Sequence, residues 1–134
     1  MTGPDRIDAY RLMKRFRTDD GALGDALTLF LEREDYGFVW LAHRDDSPVG
    51  CCSIGWQIAT DAGGLIAVLR DVYVLPDVRR NRIGSAMLAE LKVRLDDIGA
   101  RRIDAPVAGD PALQAFLREQ GFTPTDERTF SLGR

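Results

Sequence analysis

Arg79, Arg80 and Arg82 stand almost side by side, and Ile83, Gly84 and Ser85 follow at once. The apolar run Leu65 to Leu75 leads into this basic stretch, and a helix-period pattern leaves it. A strand that ends where a helix begins leaves unpaired backbone N–H groups, and the positive end of the helix dipole, pointing at one spot. With the arginines beside it, that spot suits an anion. Gly84 carries no Cβ, so a diphosphate could approach the backbone closely. Two plainer readings fit the same residues: an arginine-rich start to an exposed helix, and a glycine that lets two elements pack. Other chemistries lack their parts. Cys51 and Cys52 are adjacent, which forbids an ordinary disulfide between them, and no second Cys/His group completes a zinc site. His43 is the single histidine and lies in a turn-like run, His43 to Pro48. Neither a Gly-x-x-x-x-Gly-Lys loop nor a Gly-x-Gly-x-x-Gly fingerprint is present.

The elements that must position these residues follow from periodicity. Ile7 to Arg17 fits a helix through Tyr10/Met13 and Leu12/Phe16, and Ala22 to Arg33 fits another through Leu23, Ala26, Leu27, Phe30 and Leu31. Phe38 to His43 and Pro48 to Ile58 read as an antiparallel hairpin. Leu65 to Leu75 is the strongest strand, and Pro76 stops it because proline cannot donate to a ladder. Ile83, Met87, Leu91 and Leu95 mark a helix from Ile83 to Ile98, with Gly99 as its cap. A short strand, Arg101 to Val107, precedes a helix with Pro111 in its first turn and Gly121 at its end. Arg128 to Leu132 alternates like a closing strand. The order predicts an α/β arrangement with an antiparallel portion and one strand–helix–strand crossover.

At 134 residues, 45% hydrophobic and 29% charged, the chain is expected to fold as one domain, residues 1–134. No apolar stretch approaches the ~20 residues of a membrane span, and the N-terminus does not read as a signal segment, so a cytoplasmic location is expected. A net charge of −3 and a pI near 5.1 argue against a nucleic-acid binder. The charge is unevenly spread. Asp19 to Asp35 holds six acids against one base, and Arg79 to Arg102 holds seven bases against three acids. Either run alone reads as a solvated helix face; together they fit an anion site and a separate acidic rim.

The segment Val74-Leu75-Pro76 through Arg79, Arg82 and Gly84 resembles motif A of the GNAT superfamily of N-acetyltransferases, Arg/Gln-x-x-Gly-x-Gly/Ala after a strand. Arg82 replaces the middle glycine. Asp110 to Phe122 resembles the family's second motif through Phe116, Gly121 and Phe122, with Asp110, Leu113 and Leu117 standing where Asn, Ala and Tyr are usual. With the hairpin, the similarity spans roughly residues 36 to 132, and the family's first strand has no clear counterpart. The resemblance implies a mixed, mostly antiparallel sheet flanked by helices, with a V-shaped splay between strands ending near Val74 and Val107. It implies an acyl-coenzyme A, most simply acetyl-CoA, as co-substrate and no metal. Arg79, Arg80, Asn81, Arg82, Ile83, Gly84 and Ser85 would hold the diphosphate. Val74 and its neighbour Tyr73 would meet the pantetheine through the backbone, and Phe116 would line the same slot.

An amine must be neutral to attack a thioester carbonyl, so a nearby base assists. Asp71 is the catalytic candidate, because family members often place a carboxylate on this strand; a structural carboxylate paired with a base is the equal alternative. Trp56, Gln57 and Asp61 are acceptor-side candidates. The expected partner is a small-molecule or peptide amine, cationic if the acidic run borders the acceptor, with no nucleic acid and no membrane; a homodimer is compatible. The competing expectation is a catalytically weak acyl-CoA-binding sensor or scaffold.

Overall fold

The computed structural model describes residues 3–17 and 21–134, with the side chains of Pro4, Arg80 and Asn81 outside the description. Helix α1, Gly3–Met13, buries Ala9, Leu12 and Met13, and a turn in which the N–H groups of Phe16 and Arg17 donate to the Met13 carbonyl carries the chain on to Arg17. Helix α2, Ala22–Glu32, buries Leu23 and Leu27. Arg6 ties the two together, donating from Nη2 to the Gly24 carbonyl (2.9 Å) and to Thr28 Oγ1 (3.0 Å).

Strands β1, Gly37–Arg44, and β2, Ser47–Ala59, form the expected hairpin. Its turn residues Asp45 and Asp46 have φ of 51° and 64°, the left-handed pair that a tight hairpin requires and that aspartate tolerates. Strand β3, Gly64–Val74, runs antiparallel to β2, and β4, Ile103–Asp104, runs parallel to β3, giving the sheet order β1-β2-β3-β4. Helices α3, Ile83–Ile98, and α4, Pro111–Glu119, complete the fold. This is a mixed, mostly antiparallel sheet between helices, as expected.

Strand alternation builds a core on each face. Met87, Leu88, Leu91 and Leu95 of α3 and Leu117 of α4 pack on Cys52, Ile54, Ala67 and Leu69. On the opposite face α1 and α2 pack on Val39 and Cys51, with Tyr73 and Leu75 beside them. Adjacent cysteines therefore serve opposite cores. Each fully buried leucine of the α3 stripe is worth about 2 kcal/mol of apolar transfer. Among the described residues no helix is long and apolar enough to cross a membrane.

Two expected elements differ. The strand placed at Arg101 to Val107 shortens to Ile103–Asp104, opposite Ala67 and Val68, with the Arg101 N–H donating to the Leu65 carbonyl (2.8 Å) and the Arg102 carbonyl accepting from the Ala67 N–H (3.0 Å) just before it. Pro106 has no N–H to donate, so the ladder cannot extend to Val107. The splay beside β3 thus opens after Asp104. The strand expected at Arg128 to Leu132 does not form: the segment carries no strand, and Phe130 and Leu132 are 93% and 79% exposed. Alternation alone cannot make a strand without a neighbouring edge to pair with.

Candidate functional site

Past Val74 the chain turns through a 3₁₀ helix, Pro76–Asn81, and Arg82 joins it to α3. Arg82 sits in the left-handed region (φ 58°, ψ 30°), where a side chain costs roughly 1–2 kcal/mol. That explains why glycine is the usual residue at this point of the related motif. The first α-helical bond of α3 runs from the Ala86 N–H to the Arg82 carbonyl, 3.0 Å, so the N–H groups of Ile83, Gly84 and Ser85 precede it. No side chain among the described residues caps this end. Helix α4 differs: Asp110 accepts from the N–H groups of Ala112 (3.0 Å) and Leu113 (3.2 Å). Of the two, α3 is thus the one whose first N–H groups meet no capping side chain among the described residues.

Beside that end lies a cleft of about 720 Å³. Val72, Tyr73 and Val74 form one wall, Arg79, Arg82, Gly84 and Ser85 the floor, and Asp110, Ala112, Leu113, Phe116, Glu119 and Gln120 the other wall. The structure brings Tyr73, Val74, Arg79, Arg82, Gly84, Ser85 and Phe116 to one place. Ile83 is half-buried and lies outside the lining; the side chains of Arg80 and Asn81 are outside the description. Sequence reasoning missed Val72 and most of the α4 wall, although Leu113, Phe116 and Gln120 follow helical spacing that places them on one stripe.

Gly84 answers to packing. A Cβ there would lie 3.2 and 3.3 Å from Phe116 ring carbons and 3.6 Å from Val74 Cγ2, so the glycine lets α4 close on α3. Gln120 Nε2 donates to Ser85 Oγ (3.1 Å), and Lys92 Nζ donates to the Gln120 carbonyl (2.7 Å), tying the helices at the same end. Arg79 Nε donates to the Val74 carbonyl (2.8 Å), and its guanidinium lies 5.6 Å from the Tyr73 ring centre.

Asp71 is not in the cleft lining but on the α1/α2 face of the sheet. Cys51 opposes Tyr73 and Ser53 opposes Arg70, so two residues of β3, Asp71 and Val72, face the single Cys52. This bulge puts Asp71 at φ 56° and resets the alternation, so that Leu69 and Val72 both serve the α3 core. Its carboxylate, 14% exposed, accepts from Ser53 Oγ at Oδ2 (2.7 Å), and from Arg17 Nε (2.6 Å) and Nη2 at Oδ1. The base paired with it is thus Arg17, in the turn that follows α1, not its neighbour Arg70. Tyr73 lines the cleft and also stacks on Phe16, centroids 4.8 Å apart, so it spans both sides.

The remaining candidates lie outside the cleft lining. Asp61 accepts from Arg102 Nη1 (2.9 Å), and that hydrogen bond first, then the guanidinium charge, holds its carboxyl below the usual range. Trp56 packs half-buried near Phe38, and Gln57 is exposed. Leu117 is 6% exposed in the α3 core and outside the lining. Of the acidic run, Asp19 and Asp20 lie outside the described residues, and Asp35 pairs with Arg33 at 2.8 Å. Burial, with Asp71 adding to it, pushes the Cys51 thiol up to about 12, and burial also raises Cys52, so both stay protonated and un-nucleophilic.

Comparison with known proteins agrees with this geometry. Residues 35–124 match the acetyltransferase (GNAT) domain. No curated protein sequence matches the chain. Among solved structures, an aminoglycoside antibiotic 6′-N-acetyltransferase from Acinetobacter haemolyticus is 19% identical, with a TM-score of 0.81 over 100% of this chain and 95% of that one. Another such enzyme, in complex with the bisubstrate analogue CoA-S-monomethyl-acetylneamine, is 17% identical with a TM-score of 0.83 over 100% and 95%. A ribosomal-protein-alanine N-acetyltransferase from Brucella melitensis biovar Abortus is 17% identical with a TM-score of 0.76 over 98% and 94%.

Proposed function

Because the chain belongs to the GNAT acetyltransferase family, we propose that it is an acyltransferase that binds acetyl-CoA in the cleft and passes the acetyl group directly to a primary amine. The observation that carries this is the convergence of the β3 end, the uncapped α3 start and Phe116 on one cleft. The diphosphate would take the N–H groups that begin α3, with Arg79 and Arg82 supplying charge. Arg80, Asn81 and Ile83 would border it through the same turn. The pantetheine would run along Tyr73 and Val74, and an amide of it would replace Arg79 on the Val74 carbonyl, freeing that guanidinium for phosphate. The structural neighbour solved with a bisubstrate analogue of CoA supports the placement by analogy.

Transfer needs one C–N bond made and one C–S bond broken. Asp71 would take the ammonium proton, directly or through water, so that the lone pair attacks the thioester carbonyl. The tetrahedral nitrogen gives its second proton to water, and the departing thiolate takes one from water in return, since Leu117 is apolar and buried. A thiol of pKa ~8.5 is a fair leaving group at neutral pH, so the missing acid costs less than a missing base would. The buried, protonated Cys51 and Cys52 favour direct transfer in a ternary complex over an acyl-cysteine route. A cationic acceptor and a cytoplasmic setting complete the reading.

The test is thiol released from acetyl-CoA across a panel of polyamines, aminoglycosides, amino acids and peptide amines. Turnover with an acetylated product supports the enzyme. Stabilisation by acetyl-CoA with no turnover on any amine favours a binding module instead.

A further inference from the structure

Beyond the cleft, the turn that ends α1 brings a cation to Asp71. Arg17 donates from Nε and Nη2 to a single oxygen of Asp71, and its guanidinium lies 5.7 Å from the Phe16 ring centre. Phe16 in turn stacks on Tyr73, the residue that reaches through to the cleft. The two anchors sit side by side on one turn, and Arg17 is still 48% exposed. Such an exposed ion pair opens at little cost. Asp71 is the more fixed partner: it sits in a bulge with left-handed φ, holds Ser53 Oγ with its other oxygen, and is far less exposed than Arg17. A preset carboxylate with one oxygen covered by a half-exposed guanidinium and an aromatic pair alongside is a site for an organic cation, filled here from within the chain.

We propose that Phe16 and Arg17 form a latch in which Arg17 stands in for the cationic head of the acceptor, and that this contact sets which amines reach Asp71. The inference rests on reading Asp71 as the acceptor-side base. A primary ammonium or guanidinium group that displaces Arg17 gains the carboxylate and the Phe16 ring that Arg17 now covers; a neutral or anionic amine does not. Arg17 is on this account a specificity-determining residue that acts through Asp71.

The experiment compares wild type with Arg17→Ala and Arg17→Lys. Removing the competitor should lower KM for a cationic amine roughly two- to fivefold, the range open to an exposed ion pair, with kcat within about twofold. Arg17→Lys, which keeps a cation in place, should stay near wild type. A second arm needs no turnover: titration with ethylguanidinium, followed by the NMR signals of the Tyr73 and Phe16 rings. Arg17→Ala should show a saturable shift at roughly two- to fivefold lower ethylguanidinium than wild type needs, and adding Asp71→Asn should abolish it. A KM unchanged or raised in Arg17→Ala overturns the proposal, as does the absence of any ethylguanidinium-dependent shift. If wild type acetylates no amine, the acyl-transfer reading fails on its own while the ethylguanidinium arm still decides the latch. Asp71 keeps its Ser53 hydrogen bond in both variants, and the melting temperature of each, measured alongside, shows that folding does not confound either arm.

Discussion

Gly84→Ala separates the stability of the α3 start from its use. In a helix interior alanine is favoured over glycine by about 1 kcal/mol, in the first turn where Gly84 stands by less, and Gly84 has no positive φ to preserve. Against this stands the Phe116 ring, whose carbons would lie 3.2 and 3.3 Å from the new methyl, inside the roughly 3.5–4.0 Å of a comfortable carbon contact. The ring must retreat by a few tenths of an ångström. It is packed against the α3 core on one side and open to the cleft on the other, so it moves into the cleft. The account therefore predicts unfolding free energy within about 1 kcal/mol of wild type, since the helix gain and the crowding offset. Acetyl-CoA affinity should fall roughly tenfold, about 1.4 kcal/mol, because the ligand must push the ring back. Calorimetric titration measures the second quantity and urea unfolding the first. Adding Phe116→Leu should recover much of the affinity lost to Gly84→Ala, a coupling visible in a double-mutant cycle. Strictly additive effects, or an affinity untouched by Gly84→Ala, would refute the reasoning.

Asp71→Asn should lower kcat by about 10²-fold or more, the scale of general-base catalysis, while acetyl-CoA affinity stays within about twofold; unimpaired kcat would make Asp71 purely structural. Leu117→Tyr should destabilise the fold by about 2–4 kcal/mol in urea unfolding, because the ring overpacks the α3 core and its hydroxyl is buried there, and should not add an acid to the cleft. The raised thiols give a pH signature. A folded-state pKa above the unfolded value stabilises the protein fully below the unfolded value, and that contribution is lost as pH rises through the folded one. Stability should thus fall between about pH 9 and 12, by up to about 1.4 kcal/mol per pH unit per thiol, and Cys51→Ala should flatten the slope.

Much of this site is local in sequence, and that part was legible. A strand stopped by Pro76, a basic turn and a helix from Ile83 to Ile98 are set by neighbouring residues, and α3 begins and ends at the expected positions. The α4 wall was half legible: Pro111 announces the helix start, but which stripe faces the cleft depends on how α4 lies across α3, a contact distant in sequence. The partners of Asp71 were out of reach, since Arg17 lies 54 residues away and meets it only through the packing of α1 on the sheet. The bulge hid for a related reason, because strict alternation carries no mark of one inserted residue. Leu117 read as a lost functional group at a motif position, and its burial shows instead a residue recruited to the core. Arg128 to Leu132 misled because alternation was taken without an edge to receive it.

If the cleft between β3, the α3 start and α4 is the acyl-CoA site, amide NMR during titration with CoA will show saturable shifts largest at Val74, at Arg82 to Ser85 and at Phe116. Shifts centred instead on the second groove, which Lys92, Arg101 and Arg102 line with basic side chains, would contradict it.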